Sequence, residues 1–438
     1  MIALGKLAQA PFAARQVVAI RGGESLTWDR FRAEVGGAAR QLAGCGRVAL
    51  ICQDSWCFAV GMFGALSAGA TVVLPPNSLP ATLAALAGDV ERVVDDCFVP
   101  EGAEWAELLD EDAPRLCFHT SGSTGQPKRV ERSLSQMNGE IAALHQIWGE
   151  MLAGAPALAT VPHQHVYGLM FKLLWPLAAG RPFFARRHDL WEDVLAEMPP
   201  GALLVTSPAH LTRLGGLPAL PPDRLPRMIL SAGAPLPEDA AAEAYRLLGT
   251  PVAEIYGSTE TGAMATRRRD RPDPAWMPLP GYGVSRGEAG LLHLDAPGVV
   301  AAGGIEIADR MEEVEGGGFR LLGRADRIAK IEGKRISLDE VERALAALPE
   351  IAAVALVVLN DPRPVLAVVM VLSPMGRALL EERGSFRLSR ALRLALADEL
   401  ESAALPRRWR FVEALPSGAM GKCSSRDLEA LFEEPGRG

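Results

Sequence analysis

The sequence lacks most features that mark secreted, membrane-spanning or nucleic-acid-binding proteins. Its six cysteines form no CxxC pair and have no histidine partners at zinc spacing, so we expect unpaired thiols in a reduced, cytoplasmic protein. The net charge of −8 provides no strongly basic field to hold nucleic acid phosphates. The N-terminal residues lack the long apolar core and cleavage site of a signal peptide.

One uncharged stretch, residues 55–88, raises the question of a membrane span. A spanning helix needs about 20 predominantly apolar residues. This stretch is rich in glycine and alanine and is interrupted by Pro75 and Pro76. We therefore predict a buried helix over 57–67, a turn, and a buried strand over 71–74, with no membrane span.

The composition is that of a folded protein with more than one domain. The 438 residues are 49% hydrophobic and 22% charged, which is close to an average globular chain but too long for one ordinary core. Helical and strand patterns alternate in the first part, which predicts an α/β fold with parallel-rich sheets flanked by helices. The strands expected there are 48–52, 71–74, 90–95, 157–161, 202–206 and 228–231, and the helices are 26–42, 57–67 and 83–87.

The last third has a different pattern and predicts a small, separate α+β domain. A turn at 316–318 joins two short strands, and a capping box at 337–340 opens a helix to about residue 348. A strand pair is expected at 354–359 and 365–372, and a further helix at 388–400. We place the boundary near Asp326, giving an N-terminal domain of residues 1–325 and a C-terminal domain of residues 326–438.

The most informative segment, residues 119–128, reads His-Thr-Ser-Gly-Ser-Thr-Gly-Gln-Pro-Lys. Its glycines allow a tight backbone turn, successive N–H groups can surround an anion, and the hydroxyls and lysine add donors. The spacing differs from the common P-loop, which needs four residues between its glycines and a lysine directly after the second. We interpret it as a polyphosphate-binding loop. The candidate residues are Thr120, Ser121, Gly122, Ser123, Thr124, Gly125 and Lys128.

A second loop, residues 254–262, reads Glu-Ile-Tyr-Gly-Ser-Thr-Glu-Thr-Gly, and two further motifs follow at 323–336 and 416–422. In this order the four motifs resemble the adenylate-forming superfamily of acyl- and aryl-CoA synthetases, peptide-synthetase adenylation domains and luciferase. The resemblance covers nearly the whole chain. It implies that a carboxylate attacks the α-phosphate of ATP to form an acyl-adenylate and pyrophosphate, and that a thiol then displaces AMP.

The resemblance assigns roles to the motif residues. The catalytic candidates are Lys422, Glu260, Lys128 and Thr120, and Glu260 would bind Mg²⁺. Tyr256, Gly257, Ser258 and Thr259 would contact the nucleotide, with Tyr256 against adenine. Asp309 and Arg324 would bind the ribose, although Ile307 and Ala308 replace the usual Thr-Gly before that aspartate. Asp326 lies at the family's hinge, about which the C-terminal domain would move.

The acid is expected to bind beside these motifs. Residues 161–168, read as a loop, would form part of the acyl pocket, with His165 and Tyr167 lining it. The turn after the strand at 228–231 would supply another wall through Ser231 and Gly233. The substrate would be a small aryl or fatty acid, and the sequence does not name it.

A narrower resemblance concerns the thiol acceptor. The short chain and the 162–168 segment are similar to stand-alone ligases of aryl-polyene and xanthomonadin-like clusters, which implies transfer to the phosphopantetheine of an acyl carrier protein. Basic residues at 407–410 are a candidate carrier-binding patch. Coenzyme A is the alternative acceptor. Adenylation without thioester formation and a non-catalytic nucleotide-binding regulator are the other interpretations.

Two arginine features do not follow from the resemblance. Arg129 stands after the loop lysine where the family usually has a small residue, and its role is left open between phosphate contact and solvent. The run Arg267-Arg268-Arg269 is interpreted as a solvated loop.

Overall fold

The computed structural model describes residues 1–9, 11–75, 77–105, 109–121, 127–325, 327–331, 334–359, 364–397, 400, 402–416 and 424–433. Its strands are β1 (Val17–Arg21), β2 (Glu24–Thr27), β3 (Arg47–Leu50), β4 (Thr71–Leu74), β5 (Arg92–Val94), β6 (Leu116–Ser121), β7 (Pro127–Arg132), β8 (Ala157–Ala159), β9 (Phe183–Phe184), β10 (Leu203–Thr206), β11 (Met228–Ser231), β12 (Val252–Ser258), β13 (Gly262–Arg268), β14 (Met277–Pro278), β15 (Gly283–Arg286), β16 (Leu291–Asp295), β17 (Ile305–Val314), β18 (Gly318–Arg324), β19 (Ile328–Ile331), β20 (Lys334–Ser337), β21 (Ile351–Leu359), β22 (Val365–Leu372) and β23 (Arg408–Val412).

The α-helices are α1 (Trp28–Gln41), α2 (Ser55–Ser67), α3 (Pro80–Leu86), α4 (Leu134–Trp148), α5 (Val166–Gly168), α6 (Trp175–Ala178), α7 (Trp191–Glu197), α8 (Pro208–Leu211), α9 (Glu238–Leu248), α10 (Leu338–Ala346), α11 (Pro374–Leu396) and α12 (Ser425–Glu433). A π-helical segment, Leu169–Leu174, continues α5 into α6. Short 3₁₀ helices occupy Leu4–Gln9, Pro222–Arg224, Glu288–Gly290 and Ser402–Ala404.

Two parallel-rich sheets organise the large domain, which confirms the predicted fold class. In the described residues the larger sheet has the order β14-β13-β12-β11-β10-β8-β9-β1-β2 and the smaller has the order β5-β3-β4-β6-β7. Strands β8, β10, β11 and β12 run parallel to one another. Both faces of β10 and β11 are buried, as expected for parallel strands covered by helices on either side.

The carboxyl ends of β8, β11 and β12 meet at one edge of the larger sheet because these strands are parallel. In open α/β sheets, ligands bind at that edge. Strand β6 of the smaller sheet ends in the glycine- and hydroxyl-rich segment and pairs antiparallel with β7. The loops that carry the predicted site residues of the N-terminal part therefore follow the ends of strands β6, β8, β11 and β12.

The rest of the chain forms smaller units. Strands β15 to β18 make an antiparallel sheet with its own core around Trp276, Met311 and Phe319. The predicted strand pair of the C-terminal part is present as β21 and β22, with β23 parallel to β22. Helix α10 starts where expected, since the Ser337 hydroxyl accepts a hydrogen bond from the Glu340 N–H.

Three local expectations were wrong. The helix predicted at 388–400 is part of the longer α11, which begins at Pro374 and breaks at Gly384, where φ is 76°. The strands around the 316–318 turn are long, at ten and seven residues, because they complete a four-stranded sheet. Within the segment 161–168, which was expected to be a loop, residues Val166–Gly168 form helix α5, and His165 is the residue before it.

The arginine run at 267–269 is not a solvated loop either. Arg267 and Arg268 belong to β13, and the side chains of Arg267 and Arg269 are only 13% and 8% exposed. Both point their Nε atoms at Oε2 of buried Glu254, at 2.7 and 3.6 Å. The other oxygen of Glu254 accepts the N–H of Leu236 at 3.2 Å. This ion cluster fixes β12 to β13 and to the turn after β11.

Replacing Glu254 should therefore destabilise the large domain. In Glu254→Gln two buried guanidinium groups lose their buried counter-charge, and among the described residues only Arg267 keeps a second carboxylate, that of exposed Asp273 at 3.9 Å. We expect this to lower the free energy of unfolding by about 3–5 kcal/mol. Urea unfolding followed by tryptophan fluorescence measures this, because every tryptophan except Trp409 precedes residue 326.

The matched control is Asp270→Asn, which removes the exposed partner of Arg268, 3.7 Å from its Nε atom. We expect a change below about 1 kcal/mol because solvent screens that pair. Equal effects of the two substitutions would contradict the structural role given to the buried cluster.

Candidate active site

A cavity of about 120 Å³ opens at the edge where β8, β11 and β12 end. It is lined by Glu140, His165, Val166, Tyr167, Phe171, Ala232, Gly233, Ile255, Gly257, Ser258, Thr259, Gly262 and Ala263. The predicted acid-binding residues His165, Tyr167 and Gly233 thus share one cavity with Gly257, Ser258 and Thr259 of the 254–262 motif, whereas Tyr256 does not line it.

The acid side of the cavity has an aromatic wall. Tyr167 is buried, and its ring lies 5.1 Å from that of Phe171. Phe171 belongs to the π-helical segment, a form of helix that is frequent at functional sites. Ser231 is buried at the end of β11 and does not line the cavity, whereas its neighbours Ala232 and Gly233 do.

The turn between β12 and β13 forms the opposite wall and leaves no room for larger residues. A β-carbon on Gly257 would lie 2.1 Å from the carbonyl oxygen of Gly262, and Gly262 itself has a φ of 67°. Within the turn, Ser258 and Thr261 exchange hydrogen bonds between backbone N–H groups and side-chain oxygens, each at 3.2 Å. The turn thereby presents Thr259 to the cavity in a fixed conformation.

Lys128 and Glu260 join the two predicted phosphate-handling motifs. The Nζ atom of Lys128, on β7, donates to Oε1 of Glu260 at 2.7 Å. Burial alone would raise the pKa of Glu260, but hydrogen bonds, chiefly from Lys128, outweigh it, and the pKa lies below its ordinary value. The Glu260 carboxylate therefore stays ionised at neutral pH.

Arg129 lies on the other face of β7, since side chains alternate along a strand. Its guanidinium group contacts Glu131 at 2.6 Å and Asp89 at 4.0 Å. The structure thus favours a surface ion pair for Arg129 over a contact beside Lys128.

Tyr256, Asp309 and Arg324 form a second polar group. The Tyr256 hydroxyl donates to Oδ2 of Asp309 at 2.6 Å, and Arg324 lies 3.9 Å from the same oxygen. Burial and the Asp309 carboxylate raise the pKa of Tyr256, so its hydroxyl keeps its proton. Although Ile307 and Ala308 replace the usual Thr-Gly before it, Asp309 lies beside Tyr256 and Arg324, the other two predicted nucleotide contacts.

Several predicted site residues lie outside the described part of the chain. These are Gly122, Ser123, Thr124, Gly125, the hinge candidate Asp326 and the catalytic candidate Lys422. Thr120 and Ser121 are in β6, and only their backbone is described. Their roles stay predictions.

The sequence analysis missed Glu140, which lines the cavity, and its partner Arg132. Their side chains are 2% and 1% exposed, and Arg132 Nη1 lies 3.4 Å from Oε2 of Glu140. The Oε1 atom of Glu140 accepts the N–H of Ala263 at 2.9 Å. The sequence did contain a signal for the burial of Glu140. Its position in α4 lies on the same helical face as the buried Met137, Ile141 and Leu144.

Among the described residues, no group of three or more His, Cys, Asp or Glu side chains could hold a metal ion.

The described helices also include none that is long and apolar enough to span a membrane.

Comparison with known proteins agrees with the geometry. Residues 75–300 match the AMP-binding enzyme family, and residues 340–422 match the AMP-binding enzyme C-terminal domain. The chain belongs to the adenylate-forming AMP-binding enzymes. It is an AMP-forming acid–thiol ligase that uses ATP to activate a carboxylic acid as an adenylate.

Curated relatives of this ligase include two aryl-CoA ligases. It is 30% identical to a 4-coumarate–CoA ligase of Rhodobacter capsulatus over 322 residues, covering 72% of this chain and 76% of the relative. It is 28% identical to an anthranilate–CoA ligase of Pseudomonas aeruginosa over 405 residues, covering 81% and 75%.

Solved structures support the fold over the full length. ATP-bound MatB from Rhodopseudomonas palustris superposes with a TM-score of 0.78 at 20% identity, covering 99% of both chains. The o-succinylbenzoate CoA synthetase of Bacillus subtilis, in complex with its acyl-adenylate, gives a TM-score of 0.78 at 19% identity, covering 97% of this ligase and 98% of that chain. At these identities the likeness establishes the fold alone.

Proposed function

We propose that this ligase joins an aromatic carboxylic acid to coenzyme A. The observation that carries the proposal is the single cavity shared by the aromatic wall of Tyr167 and Phe171 and by the turn of Gly257 to Thr259. An acid in that cavity would present its carboxylate to a nucleotide on the turn. Fixed positioning of two reactants removes much of the entropic barrier to their reaction.

Coenzyme A is favoured over a carrier protein as the thiol acceptor. The relatives described above are CoA ligases, and none is a carrier-protein ligase. The basic segment offers little specific support for a carrier, because Arg410 stacks over the ring of Phe432 at 5.6 Å. Arg407 and Arg408 are exposed, as surface arginines commonly are.

A direct comparison of acceptors tests the proposal. Purified enzyme with ATP, Mg²⁺ and a panel of benzoic, cinnamic and fatty acids should release pyrophosphate with aromatic acids and form their CoA thioesters. A carrier protein bearing phosphopantetheine should be loaded at least about tenfold more slowly, a rate ratio that corresponds to 1.4 kcal/mol. Faster loading of the carrier, or a preference for fatty acids, would contradict the proposal.

We also propose that Lys128 and Glu260 handle the phosphates and the metal. Mg²⁺ is commonly held by one or two carboxylates together with substrate phosphates. Glu260 suits that role because it is ionised, half-exposed and next to a lysine in a phosphate-binding motif. When ATP enters, Lys128 would move from Glu260 to the phosphates, where charge builds on the leaving pyrophosphate. Thr120 and the neighbouring 121–125 segment would add donors.

Glu260→Gln should raise the Mg²⁺ concentration needed for half-maximal pyrophosphate release at least about tenfold, because a neutral amide is a poorer ligand for a hard cation. Glu131→Gln is the matched control, since it removes an exposed carboxylate that pairs with Arg129 on β7 and should leave the Mg²⁺ requirement unchanged. An unchanged requirement in Glu260→Gln would exclude Glu260 as the metal ligand.

The remaining motif residues complete the proposed site. Tyr256 would pack against adenine while Asp309 and Arg324 bind the ribose hydroxyls. Lys422 would contact the reacting carboxylate during adenylation, and the domain of residues 326–438 would then turn about Asp326 to admit the thiol.

Asp326→Pro should thus slow thioester formation more than pyrophosphate release. Equal slowing of both steps would argue against the hinge.

A further inference from the structure

The cavity contains one feature that adenylation does not use, a buried carboxylate in an otherwise apolar wall. Glu140 lies on α4 and is 1% exposed. Tyr167, Phe171, Ile255 and Ala263 are largely apolar residues that line the same cavity. A buried acidic group in such a wall is costly unless its oxygens are hydrogen-bonded.

The hydrogen-bonding capacity of Glu140 is only partly used by the described residues. Each carboxylate oxygen can accept two hydrogen bonds. Oε1 accepts the Ala263 N–H at 2.9 Å, and Oε2 has the long 3.4 Å contact with Arg132. At 1% exposure this carboxylate has almost no access to water. A donor carried by an acid in the cavity would satisfy one of its remaining lone pairs.

Arg132 determines which kind of donor is favoured. Its charge balances that of Glu140, so the pair as a whole offers no net attraction to a cationic substituent. A second carboxylate on the substrate would face the Glu140 oxygens and be repelled. A neutral N–H or O–H group, such as a phenolic hydroxyl or an aromatic amine, fits both conditions.

We propose that Glu140 is a specificity-determining residue that selects aromatic acids bearing a neutral hydrogen-bond donor over isosteric acids that lack one. The inference rests on the proposed function, because it assumes that the acid occupies this cavity. Sites built to hydrogen-bond a substrate hydroxyl or amine discriminate strongly against analogues without it, since a buried polar group is then left unpaired.

The test is the kcat/KM for acid-dependent pyrophosphate release with matched acids. Each hydroxy- or aminobenzoate and hydroxycinnamate is compared with the fluoro or methyl analogue substituted at the same ring position. The native enzyme should favour the donor-bearing acid at one ring position at least about tenfold. A native enzyme with no such preference at any position overturns the inference, and this comparison needs no variant.

The double variant Arg132→Met/Glu140→Met then attributes the preference. Replacing both members of a buried ion pair with apolar residues of similar size is often neutral for stability. We expect the ratio of kcat/KM values for donor-bearing and apolar acids to fall towards one, whatever common change in rate the loss of the buried pair causes. Gln146→Ala, an exposed site on the same helix, should leave the ratio unchanged.

A purely structural role for Glu140 would give a different result. The double variant would then lower kcat/KM for all acids by the same factor and leave the ratio intact, which overturns the inference alone. Pyrophosphate release with none of the acids would instead overturn the proposed aromatic substrate.

Discussion

The hairpin formed by β12 and β13 is the part of this ligase on which the site depends, and three acid–base contacts hold it in place. Glu254 joins it to Arg267 and Arg269, Glu140 accepts from Ala263 and faces Arg132, and Glu260 receives Lys128. The first contact joins the two strands of the hairpin to each other. The second joins the hairpin to helix α4, and the third joins it to strand β7. The hairpin in turn places Tyr256 and Thr259.

The three contacts differ in burial and therefore differ in how much they stabilise the hairpin. The contacts of Glu254 and Glu140 lie in the interior, where an unpaired charge is strongly destabilising, so they fix the hairpin permanently. The Lys128–Glu260 contact is half-exposed, where an ion pair contributes little to stability. That contact is therefore easily broken when phosphates and a metal arrive. The base of the hairpin is thus held by buried pairs, whereas the ion pair at its tip can exchange its partners.

Sequence reasoning reached the architecture and most of the cavity because strand–helix alternation and ordered motifs are local signals. It placed β11 and β22 at their observed bounds and brought His165, Tyr167 and Gly233 to the same pocket as the 254–262 motif. It failed where partners are distant in the chain. The burial of Arg267 and Arg269 depends on Glu254.

The role of Glu140 shows the same limit. Its helical position marks it as buried, but the cavity beside it exists only after α4, β13 and the π-helical segment have packed together. The hydrogen bond between Tyr256 and Asp309 spans 53 residues and likewise has no local signature. Long-range polar pairs of this kind cannot be read from the local sequence pattern.

The central claim is that a carboxylate held in this cavity attacks the α-phosphate of ATP, and an isotope-transfer measurement tests it most directly. An aromatic acid labelled with ¹⁸O in its carboxylate is converted to its thioester, and the nucleotide product is analysed by mass spectrometry. The account predicts AMP carrying one ¹⁸O atom from the acid. Unlabelled nucleotide, or ADP with the label in inorganic phosphate, would contradict it.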